Sequence, residues 1–358
     1  MSTSSPLVGD IKFESVDHAA VSDADIEAMN AFVNVIQPEI FPEDPPVPLE
    51  LTAAQMRNIP AFFVTNEYWA RDPDGSIAAT AYANWRDAPD NRHAAYAGVT
   101  VRPDRRRRGL ARALLGLVVP HAEADGRTLL MGPTLDRVPA GEAFARRLRA
   151  ERGMEAHTNR LVLADVDREL VRRWAEQGPG RAPGYSVEMI DGIYPHDMLE
   201  AMADLSEVMN TAPREDLELE DQRITPEQVR EFERSMLAQG TEWWTLVARH
   251  DATGELAGYT QVFWNPGRPL TVSQGDTGVV PEHRGNALGK WLKAAMLERI
   301  VAERPQARDI RTGNADSNAA MLGINHALGF EPYVAAIHWQ VPVERVRAYL
   351  EGSPPDRD

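Results

Sequence analysis

An internal repeat constrains the fold of this chain more than any other feature of its sequence. Four pairs of similar segments occur in the same order in the two halves of the chain: Leu51–Arg57 with Ile224–Arg230, Asp72–Trp85 with Asp251–Trp264, Val101–Pro103 with Val279–Pro281, and Arg152–Glu155 with Leu328–Glu331. The offset between paired segments stays between 173 and 179 residues. Chance similarity would not keep so constant an offset, so we predict two copies of one domain.

A boundary between the copies is predicted near residue 180. The chain has 358 residues, which fits two domains that each bury their own core. Arg168–Gln177 has the pattern of a short helix, and the Gly/Pro-rich segment 178–184 is not expected to continue it. We therefore predict an N-terminal domain over residues 1–177, a linker over 178–184 and a C-terminal domain over 185–358.

Each copy has the pattern of an α+β domain. The turns Asp72–Gly75 and Asp251–Gly254 each separate two apolar runs, as in β-hairpins. A strand, a glycine-containing turn and an amphipathic helix follow. One face of this helix is apolar at i, i+3, i+4 spacing: Leu110, Ala113, Leu114 and Leu117 in the first copy, and Leu288, Leu292, Ala295 and Met296 in the second. We predict two tandem, layered α/β domains, each a mixed central β-sheet flanked by helices.

Composition argues against several classes of function. The chain has 54 acidic and 38 basic residues and a net charge of −16, which disfavours nucleic acid as a partner. The sequence contains no apolar stretch long enough to span a membrane, and its first residues lack the pattern of a secretion signal, so we expect a cytoplasmic protein. Cysteine is absent and the nine histidines show no metal-ligand spacing, so we expect no metal site.

Two equivalent segments, Val99–Ala111 and Thr277–Gly289, carry the most chemical information. Each consists of a β-type run that ends near a proline, a turn of basic and small residues, and the start of a helix. Such a turn directs backbone N–H groups and a helix N-terminus to one place, which suits a phosphate group. Small residues let the backbone approach that ligand, and Arg105–Arg108 would add positive charge. Taken alone, this arginine run is equally typical of a solvated turn.

Both segments resemble the pyrophosphate loop of the GNAT superfamily of acyl-CoA-dependent acyltransferases, Gln/Arg-x-x-Gly-x-Gly/Ala. Arg106–Ala111 matches this motif fully, and Arg284–Gly289 matches it with Ala287 in place of the usual glycine. The tandem arrangement is similar to that of mycothiol synthase and its relatives. The resemblance implies acetyl-CoA as co-substrate and the following cofactor-binding residues: Val99, Val101, Arg106, Arg107, Arg108, Gly109, Leu110 and Ala111 in the first copy, and Thr277, Gly278, Val279, Arg284, Gly285, Asn286, Ala287, Leu288, Gly289 and Asn318 in the second.

The resemblance also places the general base of acetyl transfer on the strand before this loop. In the second copy that strand contains Asp276 and Gln274, which the period of two places on one face. In the first copy, Gly98 stands at the position of Asp276. We therefore predict that the C-terminal domain is catalytic and that the N-terminal domain is non-catalytic, either a CoA-binding domain or a scaffold. The alternative for Asp276 is that it fixes a local turn.

A tyrosine commonly serves as the general acid in this superfamily, and its position here is Asn325. Tyr333, just after the motif, is the candidate substitute. A core or rim position for Tyr333 is the alternative, and solvent could also protonate the thiolate. Asn318 at a helix start fits helix capping as well as cofactor contact.

An acidic segment of the second copy is the predicted acceptor site. It contains Glu215 and Asp216, followed by three further acids, and would attract a cationic amine; Trp264 would line the cleft. The alternatives are a solvated loop and a core tryptophan. We predict transfer of an acetyl group from acetyl-CoA to the amine of a small cationic molecule, such as an antibiotic or a biosynthetic intermediate, by direct attack in a ternary complex. A non-catalytic acyl-CoA-binding regulatory protein and a protein-lysine acetyltransferase are the alternative functions.

Overall fold

The computed structural model of the chain describes residues 10–352. The strands, in chain order, are β1 (Lys12–Ser15), β2 (Phe63–Arg71), β3 (Ile77–Arg86), β4 (Ala94–Val101), β5 (Leu129–Leu135), β6 (Glu151–Val162), β7 (Tyr185–Asp191), β8 (Glu242–His250), β9 (Leu256–Trp264), β10 (Thr271–Val279), β11 (Asp309–Ala315) and β12 (Glu331–Pro342). The α-helices are α1 (Asp23–Ile40), α2 (Leu49–Arg57), α3 (Leu110–Ala124), α4 (Pro139–Arg147), α5 (Arg168–Arg181), α6 (Leu199–Ser206), α7 (Pro226–Ala238), α8 (Leu288–Glu303), α9 (Ala319–Leu328) and α10 (Val343–Glu351). Within these residues, every helix is too short or too polar to span a lipid bilayer.

The chain forms two compact units that do not coincide with its two halves. Of the described residues, unit 1 comprises 10–155, the short segment Asp216–Glu220 and 336–352, and unit 2 comprises Ala156–Glu215 and Asp221–Ala335. The last strand of each repeat therefore lies mainly in the other unit: β12 pairs with β5 in unit 1, and β6 pairs with β11 in unit 2. The compact units thus differ from the predicted consecutive domains 1–177 and 185–358.

Unit 1 contains a mixed sheet in the order β1-β2-β3-β4-β5-β12, in which only β4 and β5 are parallel. Helices α1 and α2 cover one face of the sheet, and α3 and α10 cover the other. The strand residues that face α3 are mostly alanines, all fully buried: Ala70, Ala79, Ala81, Ala83 and Ala95. Because alanine is small, α3 can lie close to the sheet.

Unit 2 repeats this plan with the order β6-β11-β10-β9-β8-β7. Helices α5 and α8 pack on one face, and Leu288, Leu292 and Met296 of α8 are fully buried there, as their spacing predicts. Helix α6 packs on the other face. The predicted fold class, two layered domains that each have a mixed sheet and flanking helices, is confirmed.

Both predicted hairpin turns are present. Asp72–Gly75 joins β2 to β3, and Asp251–Gly254 joins β8 to β9. Gly75 and Gly254 have φ of 86° and 76°, a left-handed backbone that glycine adopts without steric cost. These local signals therefore placed two antiparallel pairs correctly.

The segment 178–184 is not a linker throughout, because α5 continues to Arg181. Gly178 is buried against the indole ring of Trp291, and a Cβ at this position would overlap that ring. The helix closes where the N–H of Ala182 donates to the carbonyl of Gly178 (2.9 Å). Packing of α5 on α8 thus offsets the poor helix propensity of glycine and proline, which is the reason the prediction was wrong for residues 178–181.

The central parallel strands of each unit pair over only three residues and then separate. In unit 1, the pairing of β4 with β5 runs from Ala94 opposite Leu129 to Tyr96 opposite Met131. In unit 2, the pairing of β10 with β11 runs from Thr271 opposite Asp309 to Ser273 opposite Arg311. A gap between two parallel strands leaves their backbone groups available to a ligand that enters between them.

Candidate functional site

A cleft of about 930 Å³ opens in unit 1 where β4 and β5 separate. It is lined by both strands, by α3 and α4 on one face of the sheet, and by the end of α1 on the other face. Gly132 of β5 forms part of the wall, and a Cβ there would overlap the carbonyl oxygen of Ala97. No pattern in the sequence singled out Gly132, because a single glycine inside a strand is equally typical of a bulge or a bend.

The loop between β4 and α3 forms one end of this cleft. Arg107 and Gly109 both have a left-handed backbone, with φ of 64° and 83°, a conformation that lets successive N–H groups converge on an anion. Arg106 anchors the loop, since its Nε donates to the carbonyl of Val101 (3.1 Å) and its guanidinium pairs with Glu39 (2.5 Å). Arg106 therefore holds the backbone in place, and Glu39 balances its charge.

Two arginines of the loop remain available to a ligand. Arg105 pairs with Asp72 (3.0 Å) and Asp104 (2.9 Å). Arg107 and Arg108 are exposed, and neither makes a hydrogen bond or ion pair within residues 10–352. These two guanidinium groups can meet a phosphate without first breaking an existing ion pair.

The other predicted cofactor residues of unit 1 differ in whether their side chains reach the cleft. Val99, Val101 and Ala111 are half-buried and line it. The side chain of Leu110 is only 2% exposed and packs in the core below α3. Only the backbone of Leu110 is therefore available to a ligand.

Unit 2 builds the same loop backbone from different residues. Gly285 and Ala287 have φ of 83° and 58°, so both loops have left-handed residues at equivalent positions. Arg284 anchors the loop as Arg106 does, by donating to the carbonyl of Val279 (3.0 Å) and to Oγ1 of Thr211 (2.6 Å). Left-handed backbone at an alanine costs about 1 kcal/mol, and glycine at this position in unit 1 avoids that cost.

The two loops nevertheless differ in charge. Where unit 1 has Arg107 and Arg108, unit 2 has Gly285 and Asn286, and the Asn286 amide donates to the carbonyl of His283 (3.0 Å). The His283 ring is itself hydrogen-bonded to the hydroxyl of Tyr185 (2.9 Å). The loop of unit 2 therefore offers less free positive charge to a phosphate.

The remaining predicted cofactor residues of unit 2 are engaged in internal contacts. The hydroxyls of Thr277 and Thr260 are 2.7 Å apart, a Cβ on Gly278 would overlap another side chain, and Leu288 is only 1% exposed. Near the start of α8, Ile324 approaches so closely that a Cβ on Gly289 would lie 3.2 Å from its Cδ1. The equivalent residue of unit 1 instead borders an open cleft.

Asp276 lies at a β-bulge that the first copy lacks. The register of β10 against β9 shifts between Gln274 and Thr277, whereas β4 pairs with β3 without interruption. The Tyr259 hydroxyl donates to the Asp276 carboxylate (3.3 Å). Asp276 is accessible to solvent, but protein atoms surround its carboxylate on most sides, and this desolvation raises its pKa. Such a carboxylate, held by a tyrosine, is a candidate acid or base.

Gln274 does not share a face with Asp276, so that prediction was wrong. The amide of Gln274 is buried and donates to Oγ1 of Thr260 (3.1 Å), whereas Asp276 is bonded to Tyr259. Thr260 and Tyr259 are consecutive on β9 and point to opposite faces. The bulge inserts an extra residue between Gln274 and Thr277, which breaks the period of two.

Tyr333 and Asn318 have contacts that the structure explains without a ligand. The guanidinium groups of Arg160 and Arg311 lie 4.1 Å and 5.3 Å from the centroid of the Tyr333 ring. Asn318 caps α9, as the helix-capping alternative predicts.

The predicted acceptor residues are divided between the two units. Trp264 belongs to the core of unit 2, with the guanidinium of Arg304 over its ring (4.5 Å). Asp216 belongs to unit 1, where its N–H donates to the carbonyl of Gly153 (2.8 Å). Glu215 belongs to unit 2 and has a left-handed backbone with φ of 50°.

Glu218 and Glu220, which follow Asp216, are held by hydrogen bonds within unit 1. The N–H of Glu218 donates to the Gln340 side chain (3.0 Å), and its carbonyl is bonded to His93 (2.8 Å). The Glu220 carboxylate accepts from the N–H of Asn91 (2.8 Å). These contacts give residues 216–220 a structural role that the acidic composition alone did not indicate.

A buried polar network in unit 2 was also missed. The Tyr194 hydroxyl is hydrogen-bonded to Thr245 (3.0 Å) and to the Gln261 amide, and its N–H donates to the buried carboxylate of Glu233 (2.7 Å). Burial raises the pKa of Tyr194 to about 12. These residues lie on separate strands and helices, so no local spacing in the sequence connects them.

Comparison with known proteins agrees with this architecture. The model of the acetyltransferase (GNAT) family matches residues 29–148, which include the strands and loop of the unit 1 cleft. A search of curated proteins gives no match.

Solved structures resemble the chain over nearly its whole length. A tandem GNAT protein from the clavulanic acid biosynthesis pathway is 28% identical, covers 93% of this chain and 98% of its own, and has a TM-score of 0.75. A GCN5-related N-acetyltransferase from Sphaerobacter thermophilus is 14% identical, covers 92% of this chain and 96% of its own, and has a TM-score of 0.63. At 14% identity the second likeness concerns the fold alone.

Proposed function

This chain is an acetyltransferase of the GNAT family with two tandem domains, and from that premise we propose that it transfers the acetyl group of acetyl-CoA to the amine of a small molecule, with the cofactor held in unit 1. The amine attacks the thioester carbonyl directly in a ternary complex. The name of the relative from clavulanic acid biosynthesis supports a small-molecule acceptor. The proposal places the reaction in the cytoplasm, where acetyl-CoA is available.

The cleft of unit 1 is the observation that carries this proposal. Its volume of about 930 Å³ is near the upper end of ordinary ligand pockets. It runs from the phosphate-type loop, past the free backbone of the separated strands, to both faces of the sheet. A long ligand with a phosphate end and a reactive end matches that shape.

Charge supports the same orientation. The chain carries a net charge of −16, so an anionic cofactor needs a local cluster of positive charge. Arg107 and Arg108 provide it at the loop, and charge-assisted hydrogen bonds from arginine to phosphate are among the strongest that a protein makes. The sequence alone favoured the C-terminal domain for chemistry because of Asp276, whereas the geometry favours unit 1 for cofactor binding.

A second candidate role concerns unit 2 alone. Its loop lacks free arginines, Ile324 lies close to the first turn of α8, and Asn318 serves as a helix cap. These observations favour unit 2 as a domain that has kept the fold without holding the cofactor. In that case Asp276 would stabilise the bulge or bind a different ligand.

Calorimetric titration with acetyl-CoA tests the proposal. We expect one binding site in the parent chain, lost in Gly109→Glu and retained in Ala287→Glu, the matched change in unit 2. Gly109→Asn is a further control, because asparagine tolerates the left-handed backbone without adding charge. A single site lost only in Ala287→Glu would place the cofactor in unit 2 and overturn the proposal, and so would the absence of acetyl-CoA binding.

A further inference from the structure

We propose that the acceptor amine binds in unit 1, on a polar patch formed by Glu67, Tyr82, Asn84, Tyr96 and Gly98, and that the Tyr82 hydroxyl donates the proton taken up by the leaving thiolate. This inference rests on the proposed function, since it assumes acetyl-CoA in the unit 1 cleft. It assigns catalysis to the unit that the sequence favoured less.

Tyr82 lies beside a residue that lines the cofactor cleft. It lies directly opposite Gly98 in the pairing of β3 with β4, and Gly98 lines the cleft. A Cβ on Gly98 would lie 2.6 Å from Cε1 of Tyr82 and 2.9 Å from its hydroxyl oxygen. The phenol therefore occupies the space that a side chain at residue 98 would fill, and its hydroxyl is beside the cleft.

Strand pairing assembles the rest of the patch on the same face of the sheet. Glu67 of β2 is the partner of Tyr82 across β2 and β3, and Tyr96 of β4 is the partner of Asn84. Asn84 is two residues from Tyr82, and Tyr96 is two residues from Gly98, so alternation places all their side chains on one face. The patch spans three neighbouring strands around Gly98.

Three polar groups of the patch are free to bind a ligand. In the described part of the chain, the side chains of Tyr82, Asn84 and Tyr96 make no hydrogen bond. Tyr96 is 41% exposed, although surrounding protein atoms raise the pKa of its hydroxyl by desolvation. Unpaired, partly desolvated donors and acceptors beside a cleft are typical of a binding site.

The Glu67 carboxylate, in contrast, is held in place. It accepts from Nε1 of Trp69 (2.6 Å) and is bonded to Nε2 of His18 (3.1 Å). Desolvation, together with the negative charge of Glu67, raises the pKa of Tyr82, so the phenol carries its proton at neutral pH. The patch thus presents two phenols, a carboxamide and a hydrogen-bonded carboxylate, which suit a small amine that also carries hydroxyl or carbonyl groups.

The proposed step conserves protons. The amine nitrogen bonds to the acetyl carbonyl carbon, the carbon–sulfur bond breaks, and the sulfur leaves with the electron pair and takes the proton of Tyr82. The nitrogen loses one proton on forming the amide, and this proton returns to the Tyr82 oxygen directly or through water. The products are the N-acetyl amine and CoA thiol, and the protein is unchanged.

The test compares Tyr82→Phe with Tyr259→Phe and Asp276→Asn in unit 2. Tyr259 is a matched control, because it also pairs with a glycine, Gly278, and its hydroxyl is bonded to Asp276. CoA thiol release is measured with glucosamine, spermidine and kanamycin as acceptor probes. We expect kcat to fall about 100-fold or more in Tyr82→Phe, with the Kd of acetyl-CoA unchanged, and a much smaller fall in kcat in Tyr259→Phe and Asp276→Asn.

An acceptor-independent readout completes the test. Tyrosine labelled with ¹³C at Cζ is followed by NMR while acetyl-CoA is added, and the resonance that is missing in Tyr82→Phe should shift while that of Tyr259 does not. A Tyr82 resonance that stays in place despite acetyl-CoA binding overturns the inference, even if none of the three amines is acetylated. Normal turnover in Tyr82→Phe with loss in Asp276→Asn also overturns it. Failure of the parent chain to bind acetyl-CoA would instead refute the proposed function.

Discussion

Replacing Lys293 by methionine should stabilise the chain and remove part of its pH dependence. Lys293 lies on α8 in unit 2, is only 3% exposed, and has its Nζ 5.1 Å from the ring centroid of Phe330. Within the described residues it has no carboxylate partner. Burial without a counter-charge lowers its pKa from 10.5 to about 7.

The expected magnitude follows from this pKa. The difference, 10.5 minus about 7, is about 3.5, and each unit of pKa corresponds to about 1.4 kcal/mol. Between these two values the unfolded chain keeps the proton that the folded chain has released, so the free energy of unfolding rises with pH. The contribution of Lys293 should be about 1.4 kcal/mol per pH unit from about pH 7.5 to 9.5. At pH values below the pKa of Lys293 in the folded chain, the buried charge lowers the free energy of unfolding by about 5 kcal/mol.

Urea unfolding of the parent chain, Lys293→Met and Lys290→Met at three pH values across this range measures the effect. Methionine has a similar volume and leaves no charge, so Lys293→Met should be more stable at the lowest pH and approach the parent as pH rises. Lys290 is exposed on the same helix and should show the parent profile. Parallel profiles for the parent and Lys293→Met would refute the reasoning.

Two further changes test the packing of each unit. Gly178→Ala should lower the free energy of unfolding by about 1–3 kcal/mol, because a Cβ would overlap Trp291. The control Gly180→Ala, on the same helix, meets no atom within 4 Å and should be neutral or slightly stabilising. Equal stabilities of the two variants in chemical denaturation would contradict the packing of α5. The bond to Glu67 raises the pKa of His18 in the folded chain. The protonated His18 ring therefore stabilises the fold fully at pH values below its ordinary pKa of 6.5, and this stabilisation is lost as the pH rises through the pKa of the folded chain. Melting temperatures of the parent and His18→Gln should therefore differ at acidic pH and converge at alkaline pH, and a constant difference would count against this ion pair.

The candidate site was only partly predictable from the sequence. The motif located both loops, and Gly109 and Ala287 have the left-handed backbone that a close approach to phosphate requires. The motif could not show that Arg106 would pair with Glu39, a residue of α1 remote in the sequence. It also could not show which loop opens into a cleft, because that depends on how side chains from several helices fill the space between separated strands.

Patterns in the sequence predicted the duplicated domain, the hairpins and the apolar faces of α3 and α8. These features follow from residue spacing within a few turns or strands, and from the similarity of two halves at a nearly constant offset. Three other features depend on tertiary contacts. Strands β6 and β12 lie mainly in the unit of the other repeat, helix α5 continues past Gly178, and a bulge places Gln274 and Asp276 on opposite faces of β10. The physical reason is the range of the interactions: turn and helix preferences act between near neighbours, whereas strand partners and core contacts are chosen by the total burial and hydrogen bonding of segments far apart in the chain.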